Sequence, residues 1–456
     1  MRAAATGDVF ADVSCDAMAT PAPAAPAAPA AHGPDRYGPA RRPASAEDAE
    51  CALDLGGTIR ASGVAASLAR ARVVARAIGI TRVANVTGLD QVGVPTWMAV
   101  RPLARSLSVS QGKGCTHELA QISALMEGIE LHHAEHFVPR GHRRSLDAAA
   151  RDSRYAHPLL LPVRPNVTVD GASTVEWVEG RDLRDGDPSW VPRDCLDIDS
   201  CVSAARRKIY IGSTNGLASG NTHDEATLHA LCEVVERDQE SCWYVSRQLA
   251  SRSARGRLRL ATVDDPDCTW LLARCAAAGL DVVVWHTAQD LGVPSFTCTL
   301  FDRDHRTCFP HRASGSGCHP YRRIALSRAI TEALQCRLTH IAGGRDDMHW
   351  SLYRHGLRVE GTAGRAWADA LLAETATVDW KDIPEAPAMT TIAALLDWTT
   401  CALADQGLEQ VIVVDLTRSE FGIPVVHVTV PGLEGPVLKD GYTPGRRMQA
   451  LLAGIA

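Results

Sequence analysis

Three glutamates and a histidine that could bind a cation recur at helical spacing near the middle of the chain. Separated by four, four and three positions, they are Glu225, His229, Glu233 and Glu236. At about 3.6 residues per turn, this spacing places them in one stripe along a helix. A solvated helix face is the commoner interpretation of such a row, but alanine, leucine and valine flank the stripe on both sides. We therefore expect a buried helix, in which carboxylates are costly unless a bound metal compensates them.

The same helix pattern occurs twice more. In each copy two alanines lie four positions apart. A glutamate lies three positions after the second alanine, and a Glu or Gln lies three positions after that glutamate. The copies comprise Ala120, Ala124, Glu127 and Glu130, then Ala226, Ala230, Glu233 and Glu236, then Ala325, Ala329, Glu332 and Gln335. The glutamates Glu127, Glu233 and Glu332 are 106 and 99 residues apart, which indicates a repeat. Each copy follows a glycine-rich segment, at 112–114, 216–220 or 315–317, that we predict to be a turn.

A second repeated element is a Gly-hydrophobic-Pro tripeptide between strand-like stretches, at 93–95, 292–294 and 422–424. β-Branched residues flank each tripeptide, which predicts two strands joined by a short connection. Together the repeats predict an α+β fold of three related α/β subdomains whose helices converge on one acidic site.

Composition limits the remaining possibilities. The 456 residues are 46% hydrophobic and 22% charged, with a net charge of −6, so the chain has no charge signature for nucleic acid. No apolar run is long enough to cross a membrane. Fourteen cysteines without a Cys-x-x-Cys pair indicate reduced thiols and a cytoplasmic protein. The oligomeric state is left open, with a homodimer among the arrangements allowed.

Two segments stand apart from the repeats. Residues 1–50 contain PAPAAPAAPAAHGP and are predicted to form a disordered Pro/Ala-rich tail, which leaves 51–456 as the catalytic domain. Residues 140–200 match no repeat; they are either an insertion that recognises substrate or a structural connection.

Lys113 is informative because the chain has four lysines against 43 arginines. It lies between two glycines, and a compact ammonium on a loop of exposed amides suits phosphate contact. A solvent-exposed turn lysine is the alternative. The segment does not match a Walker loop.

The three helices would gather a set of acidic side chains, namely Glu127, Glu130, Glu225, Glu233, Glu236 and Glu332. Oxygen ligands without paired His or Cys favour magnesium, which usually keeps substrate phosphates among its ligands. A nucleoside triphosphate is therefore the expected partner, and Arg237, Arg328 and Lys113 would contact its phosphates. Ser123 and Gln335 would add hydrogen bonds. Such a site suits phosphoryl transfer.

Three stretches resemble the nucleotide-binding motifs of the YcaO family: SALMEGIE, TNGLASGNTHDEATLHALCEVVERD and RAITEALQCRLTHIAGGRDD. The resemblance spans roughly residues 80 to 445. It implies an ATP- and Mg²⁺-dependent enzyme that phosphorylates a peptide backbone amide oxygen and so activates the amide carbon for a nucleophile.

The resemblance also implies roles for individual residues. The implied magnesium ligands are Glu127, Glu130, Glu225, Glu236 and Glu332. The implied nucleotide contacts are Lys113, Ser123, Glu233, Arg237, Arg328 and Gln335, and Glu127, Glu233, Arg237 and Arg328 are the expected catalytic residues. One position departs from the family pattern, since motif one usually closes with Glu-Arg and here Leu131 follows Glu130.

Within the family, ITRVANVTGLD, SVSQGKG and IAGGRDD are most similar to members encoded with a TfuA partner. That similarity implies thioamide formation on a ribosomally made peptide, with a TfuA-like partner protein and a sulfur donor. The alternative is an azoline-forming cyclodehydratase that acts on Cys, Ser or Thr. Many azoline formers end in a Pro-rich tail, whereas this chain ends in QALLAGIA. A non-catalytic YcaO-like scaffold is a third alternative.

Overall fold

The computed structural model describes residues 51–201, 208–249, 256–288, 290–302, 310–353, 362–436 and 442–455. The predicted disordered tail, residues 1–50, lies outside them. The helices of the described residues are α1 Val64–Ala77, α2 His117–Glu135, α3 Leu146–Ala149, α4 Arg193–Leu196, α5 His223–Leu249, α6 Pro266–Ala277, α7 Arg322–Ala342, α8 Thr362–Leu372, α9 Ile392–Ala404 and α10 Arg446–Ile455. None of them is both long and apolar enough to cross a bilayer.

The strands of the described residues form four antiparallel sheets. They are β1 Leu53–Asp54, β2 Ile59–Arg60, β3 Arg82–Asn85, β4 Thr96–Val100, β5 Val109–Lys113, β6 Gly141–Ser145, β7 Thr174–Asp182, β8 Pro188–Pro192, β9 Leu217–Ser219, β10 Leu280–His286, β11 Ser295–Asp302, β12 Arg312–Cys318, β13 Ile412–Asp415 and β14 Val425–Thr429. Strands β1 and β2 form a small hairpin by themselves.

The repeated sequence elements build three related units, each a hairpin, a third strand and a long helix. Strands β3, β4 and β5 precede α2, and β10, β11 and β12 precede α7. In the middle unit β9 precedes α5, but its hairpin, β13 and β14, comes from almost 200 residues later in the chain. The α+β prediction of three related subdomains is confirmed, and one subdomain is discontinuous in sequence.

The strand registers of the three units agree. The residue after each Gly-hydrophobic-Pro tripeptide pairs with a residue at the end of the third strand: Thr96 with Lys113, Ser295 with Cys318, and Val425 with Ser219. From each of these third-strand residues the first alanine of the helix pattern is seven positions away and the first glutamate fourteen. Lys113, Ser219 and Cys318 are therefore structurally equivalent.

The prediction that glycine-rich turns precede the helices is wrong for most of these residues. Gly112 lies within β5, and Gly315 and Gly317 lie within β12. A Cβ on Gly112 would lie 2.1 Å from the Ala120 carbonyl oxygen, and one on Gly317 would lie 2.2 Å from that of Ala325. Glycine in a strand often marks such a close approach of another backbone. The glycines and the paired alanines thus let β5 lie directly on α2 and β12 directly on α7.

Local signals fix where the long helices begin and end. The Thr116 hydroxyl accepts a hydrogen bond from the Leu119 N–H at the start of α2, and Thr222 does the same for the Glu225 N–H in α5. Helix α7 ends at Gly343, whose φ of 60° is left-handed and suits glycine. These ends set the axial position of each row of polar residues.

Residues 140–200 extend the sheet of the middle unit. Strand β7 pairs with β13 and also with β6 and β8, which gives a six-stranded sheet. Trp177 is fully buried there, with its ring edge against Tyr155. The tryptophan therefore packs in the core, and the assignment of 140–200 as an insertion stays a prediction.

We expect Gly317→Ala to destabilise the fold, because the new Cβ would meet backbone atoms of α7 that cannot rotate away. Overpacking typically costs about 1–3 kcal/mol, and we expect the upper part of that range. Denaturant unfolding followed by circular dichroism measures the change. Gly88→Ala is the matched control, because a Cβ at Gly88 meets nothing within 4 Å. Equal stability of the two variants would contradict the close strand–helix contact.

Candidate active site

Helices α2, α5 and α7 meet around a cavity of about 530 Å³. The structure brings every predicted site residue to its wall: Lys113, Ser123, Glu127, Glu130, Glu225, Glu233, Glu236, Arg237, Arg328, Glu332 and Gln335. The predicted convergence of the three helices on one acidic site is therefore observed. The roles of the individual residues stay predictions.

Contacts across the cavity join different units. The Ser219 N–H and hydroxyl, at the end of β9, donate to Glu130 on α2 at 2.8 and 2.6 Å. The Lys113 ammonium, at the end of β5, donates to Glu332 on α7 at 2.5 Å. Two of the three equivalent strand ends thus contact a carboxylate of another unit, and the cavity wall forms only when the units pack together.

Four carboxyl groups are held partly protonated near neutral pH. Burial raises the pKa of Glu127, Glu130 and Glu236 to about 7 and that of Glu233 to about 8. The carboxylates also raise one another's pKa: Glu130 acts on Glu127, and Glu236 acts on Glu233. A cluster of buried, mutually repelling carboxylates is a favourable environment for added cations.

Glu332 differs from the other glutamates because two cations already face it. Burial disfavours its charge, but Lys113 and Arg237 outweigh burial and hold the pKa of Glu332 at about 2. Arg237 lies 3.2 Å from Glu236, 2.7 Å from Glu240 and 3.6 Å from Glu332. The Lys113 side chain is only 17% exposed. It is therefore not the solvent-exposed turn lysine that the sequence allowed as an alternative.

Glu225, in the first turn of α5, is held by groups that the sequence did not single out. The Ala61 N–H donates to it at 2.8 Å, and Arg60 Nη1 does so at 3.3 Å. The Asn221 amide donates to both carboxylate oxygens, at 3.1 and 2.9 Å. Asn221 could have been found, since it lies four residues before Glu225 in the same motif. Arg60 carries no comparable signal of periodicity or spacing.

His229 lies in the same stripe, beside Arg328 of α7. Arg328 Nη2 donates to His229 Nε2 at 3.1 Å, which places the imidazole proton on Nδ1. Burial, followed by the charge of Arg328, holds the pKa of His229 well below its usual value. The imidazole is therefore neutral at pH 7. It accepts the hydrogen bond that positions Arg328 and does not repel the guanidinium.

The segment after α7, residues 343–347, contacts both the end of that helix and the cavity. Gly343 ends the helix, and Asp346 accepts hydrogen bonds from the backbone and hydroxyl of Ser108. Arg345 lines the cavity, and its charge opposes the rise in the pKa of Glu127. This loop therefore both caps α7 and places a guanidinium in the cavity wall.

The donor set suits magnesium with nucleotide phosphates. Among the described residues, no three His, Cys, Asp or Glu side chains close around a single point. The carboxylates instead line the cavity wall. Magnesium typically takes one or two protein carboxylates and completes its shell with waters and phosphates, which such a spread arrangement permits.

Comparison with known proteins agrees with this geometry. A family model described as "YcaO cyclodehydratase", ATP- and Mg²⁺-binding, matches residues 111–434. The chain belongs to the YcaO family. The predicted cofactors, ATP and Mg²⁺, are those of the family and are confirmed at that level.

Individual relatives give further detail. An uncharacterized protein in the tfuA 3′ region of Rhizobium leguminosarum bv. trifolii is 34% identical over 387 residues, which cover 82% of this YcaO chain and 88% of the relative. A heterocyclase in complex with substrate and cofactor superposes with a TM-score of 0.71 at 22% identity, over 90% of this chain and 58% of the heterocyclase. YcaO from Methanopyrus kandleri bound with AMPPCP and Mg²⁺ superposes with a TM-score of 0.65 at 23% identity, over 87% of this chain and 99% of that one. The two superpositions show a shared fold.

The raised pKa values predict that magnesium–nucleotide binding releases protons. The ligand-free carboxyls hold protons up to about pH 7 to 8, and a cation binds only the carboxylate form. Affinity for AMPPCP with Mg²⁺ should therefore rise between about pH 6 and pH 8.5. Calorimetry in two buffers of different ionisation enthalpy counts the released protons.

The Glu127→Gln variant should release fewer protons than the parent, because Glu127 is a carboxyl with a raised pKa that is expected to bind the cation. Glu118→Gln, on the exposed first turn of α2, should match the parent and serves as the control.

The folded-state pKa values of Glu127, Glu130, Glu233 and Glu236 lie above the unfolded value of about 4.3. The ligand-free chain should therefore lose stability as pH rises from about 4 to 8. An affinity that does not change with pH would contradict the protonated cluster.

Proposed function

We propose that this YcaO chain uses ATP and Mg²⁺ to phosphorylate a backbone amide oxygen of a ribosomally made peptide, and that sulfide then converts the activated amide into a thioamide. The observation that carries the proposal is the assembly of all the predicted acidic and basic residues around one cavity. Family membership supports the ATP-dependent step. The relative in a tfuA 3′ region supports the thioamide outcome.

The proposed reaction has two steps, phosphorylation of the amide oxygen and its replacement by sulfur, and neither step changes an oxidation state. The amide oxygen bonds to the γ-phosphorus of ATP, and ADP leaves. A sulfide then adds to the amide carbon, and phosphate departs with the former amide oxygen. Magnesium supplies charge neutralisation of the phosphate oxygens during the transfer. The carbonyl oxygen of the peptide is thus exchanged for sulfur.

The proposed ligands for magnesium are Glu127, Glu130, Glu225, Glu236 and Glu332. With the cations bound, the charges of these carboxylates would be satisfied by metal in place of protons and of neighbouring arginine and lysine side chains. Lys113 and Arg237, which face Glu332 in this structure, would then be available to phosphate oxygens.

The remaining proposed contacts position the nucleotide. Arg328 is oriented by His229 toward the cavity, so its guanidinium would meet phosphate in a fixed direction. Ser123 and Gln335 would donate or accept hydrogen bonds from α2 and α7. Glu233, whose pKa is the highest of the carboxyls, would accept or hold a proton during transfer. We propose Glu127, Glu233, Arg237 and Arg328 as the catalytic residues.

Azoline formation is the second candidate, and the superposition on a heterocyclase favours it. The same activated amide would then be attacked by a neighbouring Cys, Ser or Thr side chain, with loss of the oxygen. The non-catalytic scaffold is less well supported, because a scaffold gains nothing from burying repelling carboxylates.

The proposed reaction needs partners. The substrate would be a precursor peptide or protein, and the sulfide would come from a donor delivered with a TfuA-like partner protein. The tfuA-region relative supports such a pairing.

Glu236→Gln should abolish ATP turnover while leaving the fold intact. The amide keeps the size of the side chain but removes a ligand charge, and loss of even an outer-shell partner of a metal site costs roughly 10- to 100-fold. ATP hydrolysis in the presence of peptide, measured by phosphate release, tests this. Glu118→Gln should retain parental turnover, since Glu118 is exposed and does not line the cavity. Near-parental turnover by Glu236→Gln would refute the magnesium assignment.

The mass of the product separates the two reactions. We expect a peptide made heavier by exchange of oxygen for sulfur, formed only with ATP, Mg²⁺, a sulfide source and the partner protein. Mass spectrometry of the co-expressed precursor peptide measures the change. Omission of sulfide is the control. A peptide that instead loses one water without sulfide would replace the thioamide assignment with azoline formation.

A further inference from the structure

The first strand of each hairpin is equivalent in the three units: β3, β10 and β13 each precede a Gly-hydrophobic-Pro tripeptide. In two units another part of the chain covers the outer edge of that strand. Strand β7 pairs with β13. Beside β10, the Leu258 N–H donates to the Val284 carbonyl at 2.9 Å, and the His286 N–H donates to the Gly256 carbonyl at 2.7 Å. Among the described residues, β3 pairs only with β4, so the first unit leaves this edge open.

The open edge of β3 presents backbone groups to which another strand can bond. The Val86 N–H donates to the Thr96 carbonyl at 3.1 Å, so alternate residues face β4 and the intervening Val83 and Asn85 face away from it. No described residue bonds to the backbone N–H or C=O of Val83 or Asn85. Proteins usually shield such an edge, because it is a template for pairing with another chain.

The surroundings of this edge are basic. Residues 61–89, which include α1 and β3, contain four arginines and neither aspartate nor glutamate, although the whole chain has a net charge of −6. Arg76, in the last turn of α1, and Arg82, the first residue of β3, are exposed and form no ion pair with a described residue. An acidic segment would therefore gain favourable charge interactions here as well as backbone hydrogen bonds.

Exposed leucines follow β3 and β4. Leu89, shortly after β3, is 56% exposed, and Leu103, in the loop after β4, is 90% exposed. That loop is anchored at its base, since the Ala104 N–H donates to the Arg101 carbonyl and Arg101 Nη2 lies 2.7 Å from the buried Glu135. The leucines thus offer apolar contacts from fixed backbone beside the open strand.

Helix α1 connects this edge with the acidic cavity. Val64 and Ser67, in its first turns, line the cavity, whereas Arg76 lies in its last turn, shortly before β3. From Ser67 to Arg76 the helix rises about 14 Å. About four residues of an extended peptide cover that distance. A peptide bound at β3 is therefore long enough to reach the cavity with residues only a few positions away.

We propose that the open edge of β3, with Arg76 and Arg82 beside it, binds an acidic, extended segment of the peptide substrate as a further strand of the sheet. Backbone bonds to Val83 and Asn85 fix the position of that segment, and the two arginines select acidic side chains. The modified residue lies outside the segment and reaches the cavity along α1. The inference rests on the proposed function, because it takes the substrate to be a peptide.

Two variants of Asn85 test the backbone contacts. The probe is a short fluorescein-labelled peptide of alternating Glu and Val, and binding to the full-length chain is measured by fluorescence anisotropy. Asn85→Pro and Asn85→Ala both lose the 3.0 Å bond from the Thr87 N–H to Asn85 Oδ1. Only Asn85→Pro also loses the outward backbone N–H. Asn85→Ala is therefore the matched control.

We expect Asn85→Pro to bind the Glu–Val peptide about tenfold more weakly than Asn85→Ala, because it lacks a hydrogen bond and its ring obstructs the incoming strand. Asn85→Ala should bind as the parent does. Hydrogen–deuterium exchange of residues 82–85 in the parent should slow when the peptide binds. Thermal unfolding without peptide shows whether each variant folds, and if Asn85→Pro does not fold, the exchange measurement on the parent decides.

A peptide with Gln in place of Glu tests the contribution of charge. Arg76→Gln combined with Arg82→Gln should weaken binding of the Glu–Val peptide about fivefold at low ionic strength and leave the weaker binding of the Gln–Val peptide unchanged. Added salt should reduce the difference between the peptides. Arg151→Gln, which changes an exposed arginine after α3, is the control and should match the parent.

Several outcomes would overturn the inference. They are no binding of the Glu–Val peptide, equal binding by Asn85→Pro and Asn85→Ala, and equal binding of the two peptides by the parent. A parental dimer that Asn85→Pro dissociates in analytical ultracentrifugation would assign the edge to a second copy. Slow exchange of residues 82–85 in a monomeric parent without peptide would show that the chain itself covers the edge.

Failure of the proposed function is distinguishable from failure of this inference. A parent that binds the Glu–Val peptide at β3 but converts its substrate to an azoline refutes thioamidation and leaves the docking edge standing. A parent that forms the thioamide but binds the Glu–Val and Gln–Val peptides equally refutes the docking edge alone.

Discussion

Repulsion among buried carboxylates is the constraint on which this structure depends. Three helices from separate parts of the chain bring six glutamates to one cavity. In the ligand-free chain, protons offset the charge of Glu127, Glu130, Glu233 and Glu236, while Lys113 and Arg237 offset that of Glu332. The surrounding fold must therefore be stable enough to hold these groups together before any cation arrives. Its three well-packed strand–helix units provide that stability.

A symmetric scaffold here supports an asymmetric site. Matching strand registers give the three units the same backbone arrangement, so that Lys113, Ser219 and Cys318 occupy equivalent strand ends. Their chemistry differs completely: an ammonium, a hydroxyl and a thiol. Ser123, His229 and Arg328 differ in the same way at one helical position. The repeat thus fixes where side chains meet, and the residue types at equivalent positions decide which sides of the cavity suit cations and which suit phosphates.

The sequence predicts the helices and hairpins well because their signals are local. The polar stripes and the Gly-hydrophobic-Pro tripeptides each report on a few consecutive turns or strands. The glycines of β5 and β12 misled the prediction, since glycine marks both turns and close backbone contacts, and only the packed helix distinguishes them. Pairing of β9 with β14 could not be predicted from spacing, because about 200 residues separate them. Arg60 was missed for a related reason: its contact with Glu225 joins residues 165 positions apart.

The discontinuous middle unit has a consequence for how the chain matures. Helix α5 carries three of the glutamates, yet β14, which lies against both β9 and α5, is synthesised only after α7. A ribosome would release residues 412–429 long after α2, α5 and α7 have emerged. Contacts between such distant segments form late, because the loop-closure entropy must first be overcome. The nascent polypeptide therefore cannot complete its acidic centre until β14 has been translated, so that centre depends on a segment far downstream of the glutamates that form it.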